Sequence, residues 1–163
     1  MKSLYGTPLK RFHRDFRCQH PVEHEVLVIL QSVEYPMNVG SIFRIADVVE
    51  ATELILTGIT PTPPNPTIAK VGRQKHESVP WRYEKEAAGP IAQLKQWGYR
   101  VYALVLTADS RPYCELDWPE RMGLVVGHED HGIARATLSL CDEAVLSPCG
   151  ARACHSTCTL LWR

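Results

Sequence analysis

The chain has 163 residues, of which 45% are hydrophobic and 22% are charged, and its formal net charge is zero. This length suits one α/β domain with a sizeable core and is too short for two ordinary domains. Because the overall charge is zero, a nucleic-acid partner would have to be met by a local basic patch. No apolar run approaches the roughly 18 residues of a membrane span, and the N-terminus lacks the apolar stretch of a signal peptide. We therefore expect a soluble, cytoplasmic protein.

The first 17 residues are basic, and Asp15 is the one acidic residue among them. Phe12 and Phe16 are interleaved with the positive charges as groups on which bases could stack. Residues 1–23 are thus a basic N-terminal extension, which is either an RNA-contacting arm or a frayed, solvated terminus. The candidate RNA contacts are Arg11, Arg14 and Arg17.

Apolar runs of strand length recur along the chain, with helix-patterned or polar segments between most of them. This alternation predicts an α/β fold with a mostly parallel sheet and helices on both faces, because strands covered on both sides read as continuous apolar runs. The predicted strands are Val26–Leu30, Leu54–Ile59, Val101–Leu106, Gly123–Val126 and Ala144–Leu146. The predicted helices are Val39–Val49, Thr67–Lys75, Ile91–Trp97 and Ile133–Leu140.

The segment Thr60–Pro66 carries four prolines in seven residues, which excludes regular structure because proline fixes φ and lacks the backbone donor. It is predicted to be a stiff loop at the end of the second strand. This loop would either line a site or contact a partner. The alternative is that it is a plain rigid connector.

The turn Asn38–Arg44 follows the first buried strand, where α/β proteins keep their sites. Asn38 is predicted to cap a helix. Arg44 falls outside the apolar stripe and shares a face with Gly40, so the pair suggests close approach of a ligand or an RNA phosphate; a solvated arginine is the plainer alternative. The predicted core stripe is Ile42, Ile45, Ala46 and Val49.

A second motif, Gly127–Gly132, follows the strand Gly123–Val126 and brackets an acidic loop with glycines. It does not fit a dinucleotide fingerprint, which would need a glycine where Glu129 stands, and the chain has no phosphate-loop lysine pattern. His128 and His131 lack the spacing of a metal site, so no metal is expected. An anionic loop would suit a cationic ligand.

Together these features resemble the SpoU (TrmH-like) branch of the SPOUT RNA methyltransferases. The resemblance covers roughly residues 24–148. It implies a parallel-sheet α/β fold with a C-terminal trefoil knot, a homodimer, and methyl transfer from S-adenosylmethionine to a ribose 2′-hydroxyl in tRNA or rRNA. The residues that look like the first motif are Asn38, Gly40 and Arg44, and those that look like the second are Gly127, Glu129 and Gly132 with the run 141–148.

Carried onto this chain, the resemblance makes Arg44 the catalytic arginine, Asn38 the residue that orients it or the ribose, and Glu129 the acid of the second motif. A guanidinium is effectively always protonated, so we interpret Arg44 as a clamp on the adjacent phosphate and not as a general base. The alternative is a non-catalytic RNA-binding or dimerisation module that keeps the fold. The positions where backbone groups would cradle the cofactor are Leu104, Gly127 and Ser147.

The family's third motif, a Ser-Leu-Asn-Val turn, is absent after Pro148. Residues 149–163 form an aberrant tail that crowds three cysteines beside His155, with spacings that match no zinc module. Back-translating residues 148–163 with permitted codons, and reading from the last base of the Pro148 codon, gives MRGTGMSLNVHVALA. That is the missing motif in another frame. We hypothesise that a slip of one or two bases, in the gene or in its determined sequence, replaced the C-terminus.

Overall fold

The structure is a computed structural model that describes residues 3, 5–19 and 24–147. These residues form seven strands and five helices. The strands are β1 (Glu25–Gln31), β2 (Glu53–Thr57), β3 (Trp81–Glu84), β4 (Arg100–Leu104), β5 (Arg111–Pro112), β6 (Arg121–Val126) and β7 (Glu143–Leu146). The helices are α1 (Gly6–Gln19), α2 (Pro36–Val48), α3 (Pro66–Gly72), α4 (Ala88–Gln96) and α5 (Arg135–Leu138), and short 3-10 turns lie at Lys75–Glu77 and Tyr113–Glu115.

The strands form one sheet in the order β3-β2-β1-β6-β4-β7-β5, and every pair is parallel. The expected parallel α/β fold is therefore confirmed. The short edge strands β3 and β5 were not predicted, since neither carries the continuous apolar run of a strand buried on both faces. The expected knot involves residues after Ser147, which lie outside the described residues.

The core lies on both faces of the sheet, as parallel strands require. In β1, Val28 and Leu30 pack on the face covered by α2, whereas Leu27 and Ile29 pack on the face covered by α4. All four side chains are at most 9% exposed. Alternate side chains of one apolar strand thus pack into two separate core clusters, one on each face of the sheet.

The helix α2 begins earlier than predicted. Tyr35 is its N-cap residue and Pro36 takes the first helical position, where its missing N–H costs no hydrogen bond. The prediction that Asn38 caps the helix is wrong, because Asn38 already lies inside the first turn. The buried stripe is shifted accordingly: Ile45 is half-buried and Val49 is exposed, and the stripe consists of Val39, Ile42, Phe43 and Ala46.

Gly40 is explained by helix packing and not by a ligand. A Cβ at Gly40 would lie 3.0 Å from the Ile68 carbonyl oxygen and 3.1 Å from the Gly72 nitrogen. The relation is reciprocal, since a Cβ at Gly72 would lie 3.1 Å from the Gly40 carbonyl oxygen. The two glycines therefore let α2 and α3 approach closely.

The packing predicts opposite effects for two Gly→Ala changes. Gly40→Ala should lower the free energy of unfolding by about 1–3 kcal/mol, because the added methyl meets main-chain atoms that cannot rotate away. Gly89→Ala in α4 is the control, since a Cβ there meets nothing within 4 Å. It should raise the free energy of unfolding by about 0.4–1 kcal/mol. Urea denaturation of both variants measures the difference, and equal effects would show that the α2–α3 contact is not tight.

Asp142 ties the start of β7 to the start of β4. Its carboxylate accepts a hydrogen bond from the Val101 N–H at 2.8 Å and pairs with the Lys95 ammonium at 2.8 Å. Burial alone would raise the pKa of Asp142, but these two hydrogen bonds and the charges of Lys95 and Arg100 lower it below its ordinary value. The ionised carboxylate therefore stabilises the fold.

The pH dependence follows from the direction of that shift. A carboxyl whose pKa is lower in the folded chain contributes stability above its unfolded pKa of about 3.9 and loses it as the pH falls further. Asp142→Asn should thus be less stable than the parent chain near neutral pH, and the deficit should shrink below about pH 4. Asp109→Asn, at an exposed position, is the control. Urea denaturation across this range tests the prediction, and a deficit independent of pH would contradict it.

Candidate functional site

The loop after β6 folds back on itself as a closed turn. The His128 N–H donates to the Gly132 carbonyl and the Gly132 N–H donates to the His128 carbonyl, both at 2.9 Å. A Cβ at Gly127 would lie 2.4 Å from the Gly132 carbonyl carbon, and Gly132 has φ +66°. Both glycines that bracket the acidic loop are therefore required by its conformation.

Glu129 joins this loop to the start of α2. One carboxylate oxygen accepts the Glu34 N–H at 3.0 Å, and the other accepts the Tyr35 N–H at 3.3 Å and the Asn38 side-chain N–H at 2.7 Å. Glu129 is 5% exposed. All three hydrogen bonds that its carboxylate accepts come from the β1–α2 turn, and His128 Nδ1 lies 4.0 Å from one carboxylate oxygen. Glu129 therefore links the acidic loop to the start of α2.

His128 adds a second link between the same segments. Its Nδ1 accepts the Asp130 N–H at 3.0 Å, and its Nε2 lies 3.2 Å from a carboxylate oxygen of Glu34. The ring also packs against His131, with 4.6 Å between centroids. Among the described residues no group of three or more His, Cys, Asp or Glu side chains is arranged so that it could hold a metal ion.

The three predicted cofactor positions lie along one edge of the sheet. Leu104 ends β4, Gly127 follows β6, and Ser147 follows β7. These strands are neighbours, with Leu104 paired to Val126 on one side and to Val145 on the other. Because all three strands are parallel, their carboxyl ends bring these positions together, which is where open α/β sheets bind ligands.

Arg44 lies in a different place, in a cleft of about 350 Å³ between α2 and the segment after α3. Six residues along a helix separate it from Asn38 by about 9 Å of rise and by about 120° around the axis. Within the described part of the chain, no hydrogen bond or ion pair joins Arg44 to Asn38, to Glu129 or to the strand ends that carry the three predicted cofactor positions. The cleft is lined by Ser41, Arg44, Ile45, Asp47, Val48, Arg73 and Lys75.

The basic N-terminal extension contains a helix that the sequence reading did not anticipate. Arg11 and Arg14 are exposed on α1, and Phe12 and Phe16 stack one turn apart with 6.1 Å between ring centroids. Arg17 is on the same helix, but its side chain lies outside the described residues. No described helix is both long and apolar enough to cross a membrane.

Cys18, Cys114 and Cys141 are free thiols. Burial raises the pKa of the Cys141 thiol to about 11. The hypothesis about the altered C-terminus, with its three crowded cysteines and His155, concerns residues outside the described part of the chain.

Comparison with known proteins identifies the family. The profile of the SpoU rRNA Methylase family matches residues 25–150, most of the chain. This chain belongs to that family. The resemblance seen in the two sequence motifs is therefore confirmed.

The similar characterised proteins include enzymes that act on tRNA and on rRNA. The chain is 29% identical over 139 residues to the tRNA (guanosine(18)-2′-O)-methyltransferase of Thermus thermophilus, covering 85% of this chain and 69% of that protein. It is 31% identical over 123 residues to the 23S rRNA (guanosine-2′-O-)-methyltransferase RlmB of Ralstonia nicotianae, covering 76% of this chain and 49% of that protein. The chain thus spans about half the length of the rRNA relative.

Solved structures of the family share the fold. The A. aeolicus TrmH/SpoU tRNA modifying enzyme superposes with a TM-score of 0.75 at 19% identity, over 93% of this chain and 78% of that one. The AdoMet-bound rRNA methyltransferase of Sinorhizobium meliloti superposes with a TM-score of 0.72 at 25% identity, over 89% of this chain and 57% of that one.

The contacts of Glu129 lead to a direct test. Glu129→Gln should lower the free energy of unfolding by about 1–3 kcal/mol, because it replaces one accepting oxygen by an NH2 donor that faces backbone and side-chain N–H groups. Asp130→Asn changes the charge of the exposed neighbouring residue and should have little effect. Urea denaturation of the two variants measures this, and equal stability would show that Glu129 does not hold the β1–α2 turn.

Proposed function

We propose that this chain is an S-adenosylmethionine-dependent RNA methyltransferase that modifies a ribose 2′-hydroxyl of tRNA or rRNA. The observation that carries the proposal is the 2.7 Å hydrogen bond between Asn38 and Glu129. It joins one residue from each family motif at the carboxyl edge of the sheet. The named relatives of the chain, which methylate guanosine 2′-oxygens in tRNA or rRNA, support the same reaction class.

Main-chain groups at Leu104, Gly127 and Ser147 would hold the cofactor. The arrangement fits such a ligand, because three adjacent strand ends place these positions along one edge with the closed 128–132 turn beside them. A family member from S. meliloti is solved with AdoMet bound. When bound, S-adenosylmethionine would supply an electrophilic methyl group.

The side chains of this chain position the RNA. Arg44 binds the phosphate next to the target ribose and stabilises negative charge that develops on the 2′-oxygen, since its fork of N–H donors matches a phosphate. Asn38 orients the ribose from the first turn of α2, and Glu129 fixes Asn38. Most of the rate acceleration then comes from orientation of the two reacting groups.

The RNA is held by further contacts in this proposal. Arg11, Arg14 and Arg17 on the basic extension bind the RNA backbone away from the target nucleotide, and the protein works as a cytoplasmic homodimer without a metal ion. Exposed Arg11 and Arg14 on one helix support the first part.

The proposed function is tested by transfer of a labelled methyl group from S-adenosylmethionine to bulk tRNA and rRNA, followed by digestion and mass spectrometry of the nucleosides. Label in a 2′-O-methylated nucleoside supports it. A non-catalytic module would bind RNA and transfer nothing. The assay is run on the chain as it stands and on a variant whose residues after Pro148 follow the alternative frame, and sequencing the gene across that codon tests the frame hypothesis itself.

Arg44→Lys separates a bidentate clamp from a simple positive charge. A lysine keeps the charge but not the planar fork, so we expect turnover to fall by about 100-fold or more while cofactor affinity stays unchanged. Arg121→Lys is the control, because Arg121 starts β6 at the opposite edge of the sheet. Labelled methyl transfer and calorimetry with S-adenosylmethionine provide the two measurements, and near-normal turnover of Arg44→Lys would show that the clamp is wrong.

A further inference from the structure

The cleft beside Arg44 gathers three cations from two segments of the chain. Arg44 projects from α2, whereas Arg73 and Lys75 come from the segment that follows α3. The segments meet because α2 and α3 touch at Gly40 and Gly72, and Arg73 is the next residue after Gly72. The close glycine contact thus brings Arg73 to the same cleft as Arg44.

The charges in this cleft are only partly balanced. Asp47 pairs with the Lys75 ammonium at 2.8 Å, and its other oxygen accepts a hydrogen bond from the Ser78 hydroxyl at 3.3 Å. Neither Arg44 nor Arg73 forms an ion pair or side-chain hydrogen bond with any described residue. Two guanidinium groups therefore remain available to an anion in the cleft.

The backbone at Arg73 is unusual for a residue with a side chain. Arg73 is the C-cap of α3 in the left-handed region with φ 50°, and the next residue, Gln74, has φ 64°. Glycine adopts this conformation at helix ends without steric cost. An arginine at this position is therefore unfavourable for the backbone, as is often seen where a side chain serves a function.

We propose that this cleft binds a phosphodiester group of the RNA strand, with Arg73 and Lys75 as positioning residues beside Arg44. The proposal rests on the proposed function, because RNA is the ligand. Arg73 supplies the second bidentate donor set, and Lys75, already paired with Asp47, contributes less. The cleft lies between α2 and the segment after α3 and not at the strand ends proposed for the cofactor, so we assign it to the RNA.

The probe for this proposal is a short fluorescein-labelled oligouridylate, whose affinity is measured by anisotropy over a range of salt concentrations. Each lost phosphate contact reduces the slope of log K against log salt by about 0.7 for a single strand. We expect Arg73→Gln to reduce the slope by about that amount. Lys70→Gln is the matched control, since Lys70 is an exposed cation on α3 that does not line the cleft. Equal slopes for the two variants would overturn the proposal.

Arg73→Gly distinguishes a binding role from a structural one. Glycine relieves the left-handed backbone, so the midpoint of thermal unfolding should rise by about 1–4 °C. The salt slope should nevertheless fall as in Arg73→Gln. A rise in stability with an unchanged salt slope would overturn the proposal, because it would show that the Arg73 side chain does not bind an anion.

Asp47→Asn should change the salt slope in the opposite direction from Arg73→Gln, because it removes the carboxylate that pairs with Lys75. Freeing Lys75 should steepen the salt slope by up to about 0.7. Calorimetry with S-adenosylmethionine should show no change in any of these variants, and a loss of cofactor affinity in Arg73→Gln would reassign the cleft to the cofactor and overturn the proposal. Normal methyl transfer with an unchanged salt slope in Arg73→Gln refutes RNA binding in the cleft but not the proposed function. Absence of transfer by both the parent chain and the alternative-frame variant, with the slope effects present, refutes the proposed function but not RNA binding in the cleft.

Discussion

The buried carboxylate of Glu129 is the contact on which the arrangement of this protein depends. It reaches from the turn after β6 to three donors on the turn that starts α2. A buried carboxylate needs such donors, because an unpaired charge inside a protein is very costly. The contact therefore fixes the first turn of α2, and everything that α2 carries, relative to the carboxyl edge of the sheet.

A second constraint sets what lies further along α2. Gly40 and Gly72 allow α2 and α3 to touch, and the α3 segment ends immediately afterwards in two left-handed residues. The edge proposed for the cofactor is thus built by strand ends, and the cationic cleft is built by helix packing. One helix, α2, connects the two: its first turn contacts the loop at the cofactor edge, and its middle carries Arg44. This division matches a reaction in which one part holds a small cofactor and another holds an RNA backbone.

The sequence predicted those features that depend on continuous patterns. Apolar runs identified the interior strands, and their parallel order followed from the helices between them. The edge strand β3 was missed because Trp81–Glu84 mixes aromatic and charged residues. The helix Gly6–Gln19 was missed because most of its residues are polar, and because Phe12 and Phe16 were interpreted as stacking groups and not as part of an apolar helix face. The start of α2 was misplaced because Pro36 at the first helical position was given less weight than the capping tendency of Asn38.

The candidate site was predictable in its residues but not in its contacts. Asn38 and Glu129 were selected from separate motifs, and their hydrogen bond across 91 positions of sequence could not be read from either one. Gly40 was interpreted as a position where a ligand comes close to the backbone, whereas α3 is the element that packs closely there. Arg73 and Lys75 were not selected, since the only sequence signal was two cations near the end of a predicted helix whose true end, at Gly72, was not foreseen.

The most direct test of the account is a double-mutant cycle on Asn38→Ala and Glu129→Ala, with methyl transfer to bulk RNA as the measured rate. If Glu129 acts by holding Asn38, the double variant should lose about as much activity as the worse single variant, because the second change removes a contact already lost. Losses that multiply would contradict the account, since they would show that the two motifs contribute independently and are not joined into one site.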